Sequence, residues 1–319
     1  MSETKRTKRP NEFELISRLS ARLPTGDSVV AGSGDDCAVI DAGVPGQWQL
    51  HKTDAVVEGV HFTCDTDPRQ IGHKALARVL SDIAAMAGTP RWATITLGLR
   101  EDFNVEHIEL IYDGIAILAK QHGVSIVGGE TVINRDRLFI GVSLVGEVSQ
   151  EDCILRRGAA VGDGVWVTGE LGGSIAGHHL AFMPRLHEAR WLAEHFRPSA
   201  MIDISDGMAG DLGHLLDATG VGAELLDSAL PIRREARLHA RESEAAKPPL
   251  LAALSDGEDY ELCFTLGKGQ AVALLDRFKQ QFPDTPLRCI GKIVAQPGLK
   301  IRQKNGLIEI ATRGYVHFQ

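Results

Sequence analysis

The chain has 319 residues, with 34 Lys or Arg against 42 Asp or Glu, giving a formal net charge of −8. That length suggests two domains, each able to bury a core without disulfides or structural metal. No apolar run is long enough to span a membrane, and the acidic balance argues against a general nucleic-acid binder, which would carry a basic face. The 34 glycines are about 11% of the chain, against a usual ~7%, and imply many positive-φ positions or close backbone approaches.

In chain order, the basic start MSETKRTKRP (1–10) lacks the apolar core of a signal peptide and reads as a frayed tail. A polyphosphate-binding or anchoring role is the alternative. An amphipathic helix is expected over Asn11–Leu23, ended by Pro24. A glycine turn, GSGDDCAVI (32–40), follows, then strands at Gln47–Ala55 and Gly59–Phe62. Ile71, Ala75, Val79, Ile83 and Met86 recur at helical spacing and predict a long helix over 69–88. A strand at 92–99, a helix at 104–122 and strands at 124–130 and 138–148 complete the first half. The polar stretch 149–164 marks the boundary, so the expected units are a tail (1–10), an N-terminal domain (11–149) and a C-terminal domain (150–319). Beyond it come a strand at 164–169, a helix at 172–182, a strand–turn–helix at 200–216, a turn and strand at 254–266, and a strand at 289–294. Strands alternate with helices throughout, so both domains are α/β or α+β. Cys37, Cys64, Cys153, Cys263 and Cys289 show neither CxxC nor zinc spacing and read as reduced thiols of a cytoplasmic protein.

The chemistry lies in the placement of carboxylates. Asp82 falls within the apolar stripe of the 69–88 helix, where an unpaired charge is costly. Asp35 and Asp36 sit in a glycine turn, Asp54 at a strand end, Glu130 after Gly128-Gly129, and Asp203 and Asp206 around Ser205 before a helix. Each alone could cap a helix or form a turn. Together, at strand ends facing glycine turns, they suit a multi-Mg²⁺ site handling phosphate, because hard oxygen ligands without His or Cys favour Mg²⁺. The usual ATP signatures are absent: there is no GxxxxGK[ST] and no GxGxxG after a strand.

GDDCAVI (34–40), KTDAVVEGVHF (52–62), HKALARVLSDIAAMAG (73–88), VGGET (127–131), LRRGAAVGD (155–163), IDISDGMAGDLGHLL (202–216), SDGEDYEL (255–262) and GYVHF (314–318) occur in this order. Together they closely resemble the thiamine-monophosphate kinases, a family within the aminoimidazole ribonucleotide synthetase superfamily. The resemblance implies a two-domain fold whose N-terminal sheets pair into a barrel across a homodimer. It also implies ATP- and Mg²⁺-dependent transfer of a γ-phosphoryl group onto the phosphate of thiamine monophosphate. By matching position, Asp36, Asp54, Asp82 and Asp203 are expected to bind several Mg²⁺ ions, with Thr53 and Asp206 assisting. Glu130 stands where the family has a metal-binding Asp. Tyr112, Gly129, Arg156 and Ser205 match ATP-contacting positions, and His61, Glu258 and Tyr315 match positions near thiamine phosphate. Asp54, Arg156 and Asp206 are the residues expected to carry catalysis.

Four positions depart from the family pattern: Lys52 for Ser, Val79 for Asn, Glu130 for Asp and Asp256 for Gly. A lysine at 52 could replace one cation, contact a phosphate or point into solvent. Two other functions fit the same residues: a superfamily enzyme with a different substrate, and a protein that binds nucleotide or thiamine phosphate with little turnover.

Overall fold

The computed structural model describes residues 12–242 and 246–311. The expected tail and Tyr315 lie outside them. The first half runs α1 (Glu12–Ser20), β1 (Val29–Ala31), β2 (Ala38–Ile40), β3 (Gln47–Val57), α2 (Pro68–Ala85), β4 (Thr89–Leu99), α3 (Val105–His122), β5 (Ser125–Ile133) and β6 (Phe139–Ser149). Its six strands form one sheet in the order β1-β2-β3-β6-β4-β5, antiparallel except for the parallel β4–β5 pair.

The second half runs β7 (Gly164–Thr168), α4 (His178–Ala181), α5 (Leu186–Phe196), β8 (Ala200–Asp203), α6 (Met208–Thr219), β9 (Gly222–Leu226), α7 (Arg234–Glu242), α8 (Pro249–Ser255), β10 (Leu262–Leu266), α9 (Ala271–Gln281), β11 (Leu287–Val294), β12 (Gly298–Gln303) and β13 (Gly306–Ile310). Among the described residues its strands form a seven-stranded sheet, β13-β12-β9-β11-β7-β10-β8, in which only β9 and β12 pair parallel. Two mainly antiparallel sheets with helices packed on them make the fold α+β.

α2 explains how the halves meet. Asp67 caps it by accepting the Arg69 N–H at 2.8 Å, and Pro68 opens its first turn, where a missing N–H costs nothing. It is buried nearly all round. One side lies on β3 and β6 and another on α3, while α4, α5 and β8 of the second half close over it. Gly72 faces the Ile111 carbonyl of α3, and Gly114 of α3 faces the Arg69 carbonyl, so these two helices touch backbone to backbone. The apolar core around α2 continues into the second half through Phe182, Leu192 and Phe264. A second core lies between the seven-stranded sheet and α6.

Two expected elements are corrected. Gly59–Phe62 is a turn, not a strand: Gly59 takes φ +74°, and the Val60 and His61 N–H groups both donate to the Val57 carbonyl. The apolar composition of this run concealed the turn. The helix expected at 172–182 reduces to a 3₁₀ turn (Ser174–Ala176) and the four-residue α4. Gly172, Gly173 and Gly177 all have positive φ, which interrupts a right-handed helix. The first helix spans Glu12–Ser20, shorter than expected. No described helix is long and apolar enough to cross a membrane.

Candidate active site

A turn, a helix and a strand end converge where the halves meet. Asp36 comes from the turn before β2, Asp82 from α2 and Asp203 from the end of β8; all three are buried. One oxygen from each lies within 4.8 Å of the others, which is metal-ligand spacing. The Oδ2 atom of Asp36 is buried without a hydrogen-bond partner. A buried carboxylate oxygen left bare is costly, and a cation fits it. This donor set of carboxylate oxygens alone suits Mg²⁺.

The electrostatics record the crowding. Burial, and then the neighbouring charge of Asp36, pushes the Asp203 carboxyl up to about 6. Asp82 is driven well above the usual carboxylate range by burial, with Asp203 and Asp54 adding to the effect and Lys52 opposing it. Both shifts belong to carboxylates that hold their charge more easily beside a cation.

Protein cations already face this group. Arg156 places Nη2 at 2.6 Å and Nε at 3.3 Å from Asp36 Oδ1. Its backbone N–H donates to Asp35 at 2.9 Å. Lys52 Nζ lies 2.6 Å from Asp82 Oδ1. Burial would lower that ammonium's pKa, but the charges of Asp82 and Asp54 outweigh it and raise it. Ser81 donates to Asp203 Oδ2 at 2.6 Å.

Asp54 does not join the three-carboxylate group among the described residues. Its Oδ2 accepts from Arg78 Nε at 2.9 Å and its Oδ1 from the Ala55 N–H at 2.9 Å. Lys52 and Asp54 share one face of β3, while Arg78 and Asp82 share one face of α2, so two ion pairs bridge strand to helix. Thr53 points to the opposite face of β3, where its Oγ1 accepts from Ser143 at 3.0 Å. On that face Ala55, Gly141, Thr96 and Glu130 occupy one row across four strands. Thr53, Thr96, Gly141 and Ser143 line a shallow groove there, and Glu130, exposed at the sheet edge, accepts the Thr131 N–H at 3.0 Å. Gly129 must be glycine, since a Cβ would run into the Ile95 carbonyl of β4. Tyr112 lies on α3, part exposed.

Against the Arg78 side chain of α2 is a cavity of about 730 Å³, lined by residues that include His61, Arg78, Ser205, Asp206, Glu258 and Tyr260. Val60, Ile175 and Leu238 give it apolar wall. Lys74, wholly buried, donates from Nζ to the His61 carbonyl at 2.7 Å and to Glu258 Oε2 at 2.6 Å. Glu258 and Tyr260 adopt φ of +56° and +50°. They are held there by donating N–H groups to the Ser205 and Ile204 carbonyls, both at 2.7 Å. Left-handed non-glycine residues of this kind cluster at functional sites. The Asp206 N–H donates to the buried Asp211 at 3.0 Å.

Sequence reasoning missed Lys74, Arg78, Ser81 and Asp211. The first two had a signal: Lys74, Arg78 and Asp82 recur every four residues and form a charged row inside an apolar helix. The departure at Asp256 is accommodated, because its φ of −75° needs no glycine and Lys247 pairs with its carboxylate at 2.9 Å. Val79 is fully buried in the core.

The AIR synthase related protein N-terminal domain family matches residues 34–148. The thiamine-monophosphate kinase of Rhodopirellula baltica is 37% identical over 96% of this chain and 97% of its own length. The chain belongs to the thiamine-monophosphate kinase family. The kinase of Salmonella typhimurium is 35% identical over 96% of this chain and 98% of its own. The solved structure of AaThiL complexed with AMPPCP and TMP superposes with a TM-score of 0.83 at 30% identity, covering 99% of this chain and all of that one. The family and the mixed α/β architecture of two sheets are thus those the sequence motifs imply.

Proposed function

We propose that this chain transfers the γ-phosphoryl group of ATP to the phosphate of thiamine monophosphate, giving thiamine diphosphate and ADP. The observation that carries it is the convergence of Asp36, Asp82 and Asp203 beside a cavity lined by Ser205, Asp206 and Glu258. In the reaction, the bond between γ-phosphorus and the ADP oxygen breaks while one forms to an oxygen of the acceptor phosphate. That acceptor is already ionised near neutral pH, so no strong base is required. The barrier is the approach of two anions, and positioning with charge neutralisation is the appropriate catalysis.

Asp36, Asp82 and Asp203 would hold Mg²⁺, with Asp54, Asp206, Thr53 and Glu130 as the further ligands the family pattern implies. Bound there, Mg²⁺ supplies positive charge to the phosphate oxygens. Arg156 has guanidinium donors beyond those on Asp36 to offer the transferring group. Tyr112, Gly129, Glu130 and Ser205 would contact ATP. Glu258 and His61 would face the thiamine phosphate, whose thiazolium carries a fixed positive charge suited to a carboxylate-lined cavity with apolar walls. Tyr315 is assigned there by the motif alone.

We assign the ATP- and Mg²⁺-binding unit to 11–149 and the second domain to 150–319. A homodimer fits the edge strand β5, exposed along its whole length with Val127, Val132 and Ile133 in the open. Five free thiols fit a cytoplasmic enzyme.

The test is direct. Purified protein with ATP, Mg²⁺ and thiamine monophosphate should yield thiamine diphosphate and ADP by mass spectrometry. Neither product forming would refute the proposal, and calorimetric binding of both ligands without product would reassign the chain as a binding protein.

A further inference from the structure

We propose that Lys52 is a built-in cation of the carboxylate cluster: its ammonium takes the place of a divalent ion between Asp54 and Asp82, so the chain loads fewer metal ions than its carboxylates could hold. The inference rests on the Mg²⁺ assignment above. It is carried by the position of Lys52 Nζ, 2.6 Å from Asp82 Oδ1, in a side chain three-quarters buried.

Four carboxylates lie in this region: Asp36, Asp54, Asp82 and Asp203. Arg156 faces Asp36, Arg78 faces Asp54 and Lys52 faces Asp82. Asp203 has the neutral hydroxyl of Ser81. The charges thus divide the cluster in two. The Asp36–Asp82–Asp203 side keeps an unpartnered oxygen, Asp36 Oδ2, and spacing for a metal. On the Asp54–Asp82 side each carboxylate already has its own cation: Lys52, which leaves β3 on the same face as Asp54, pairs with Asp82, and Arg78 of α2 pairs with Asp54. Mg²⁺ binds oxygen at about 2.0–2.1 Å. A metal joining Asp54 to Asp82 would have to enter the space the ammonium fills and displace the Arg78 contact as well. A strongly hydrated divalent ion gains little where two cations already satisfy both carboxylates.

The arrangement also lets the cluster persist without metal. A carboxylate buried beside two others would be strongly repelled, whereas a tethered ammonium offsets part of that charge at every metal concentration.

Crystals of the wild-type protein soaked with Mn²⁺ and a non-hydrolysable ATP analogue test this without turnover. Anomalous density is expected at Asp36–Asp82–Asp203, with Lys52 still on Asp82 and no Mn²⁺ joining Asp54 to Asp82. A Mn²⁺ peak bridging those two carboxylates, with Lys52 displaced, would overturn the inference and leave the kinase proposal standing. No Mn²⁺ at any of the four would defeat the metal assignment and this inference together. In solution, Mn²⁺ counted by electron paramagnetic resonance should rise by one ion per chain in Lys52→Ser and stay at the wild-type number in Lys52→Arg. Lys52→Ser should also melt lower than wild type in chelator and recover with Mg²⁺; failure to fold unless Mg²⁺ is present is the stronger form of the same result. Equal Mn²⁺ counts in all three proteins would refute the role.

Discussion

Lys74→Met is the most informative single change outside the carboxylate cluster. The side chain is wholly buried and ends on two acceptors, the His61 carbonyl and Glu258 Oε2. Burial lowers the ammonium's pKa and Glu258 opposes that shift. Methionine fills similar volume without charge, so the loss is electrostatic rather than a cavity. Removing one partner of a buried ion pair costs about 3–5 kcal/mol, mostly as the penalty on the charge left behind. Glu258 keeps 24% of its side chain exposed, so water recovers part of this and the lower end, about 3 kcal/mol, is expected.

The assay is urea denaturation of wild type, Lys74→Met, Glu258→Gln and the double variant. Because the pair is replaced together in the double variant, its cost should fall well short of the two single costs combined. A coupling of about 1.5 kcal/mol or more is the expected result. A smaller residual destabilisation should remain, since the His61 carbonyl still loses its donor. The KM for thiamine monophosphate should rise in both single variants, because Lys74 holds Glu258 and the 58–62 turn on the cavity wall. Additivity within about 0.5 kcal/mol would refute the argument, for it would mean that the two side chains act independently.

Two further outcomes follow from the packing. Gly72→Ala and Gly114→Ala each drive a Cβ into a facing helix carbonyl, so each should cost about 1–3 kcal/mol in urea denaturation. Gly269→Ala, which meets nothing within 4 Å, should change stability by less than about 0.5 kcal/mol; equal losses at all three would defeat the packing argument. Burial, against the Gly172 N–H and Arg233, pushes the Asp259 carboxyl up to about 7 from 3.8. Its folded pKa is therefore raised, the native state holds the extra proton between those values, and this contribution to stability declines as pH rises from about 4 through 7. Asp259→Asn should flatten the stability curve across that window by up to about 1 kcal/mol per pH unit, and parallel curves would show that Asp259 stays ionised.

The sequence made the site's acids visible because each breaks a local rule. Asp82 interrupts an apolar helix stripe, and Asp36 and Asp203 lie beside glycine turns at strand ends. It did not show which of them meet. Asp36, Asp82 and Asp203 are brought within 4.8 Å by contacts over 122 residues of chain, such as Ser81 to Asp203, which no periodicity encodes. The second half was less legible for a related reason. α7 carries only one buried residue, Ala236, so its pattern is that of a solvated segment although it walls the cavity. The 172–182 error has the same root, since Gly172 and Gly173 are shaped by contact with Ala253 and Ala236, which are distant in sequence.

α2 ties these points together. A helix buried on all sides would normally be apolar throughout, yet this one carries Lys74, Arg78, Ser81 and Asp82. Lys74 serves the cavity wall, Arg78 the strand at Asp54, and Ser81 and Asp82 the carboxylate cluster. Four residues rise about 6 Å along a helix, so Lys74 to Asp82 spans roughly 12 Å. One rigid element thereby fixes the separation between the carboxylate group and the cavity. Its backbone contact with α3 at Gly72 and Gly114 fixes where it sits. In-line transfer between two anions tolerates little error in that separation. Asp36 and Asp203 reach the cluster from opposite halves of the chain, so α2, packed against β3, β6 and β8, is the common element against which both are set.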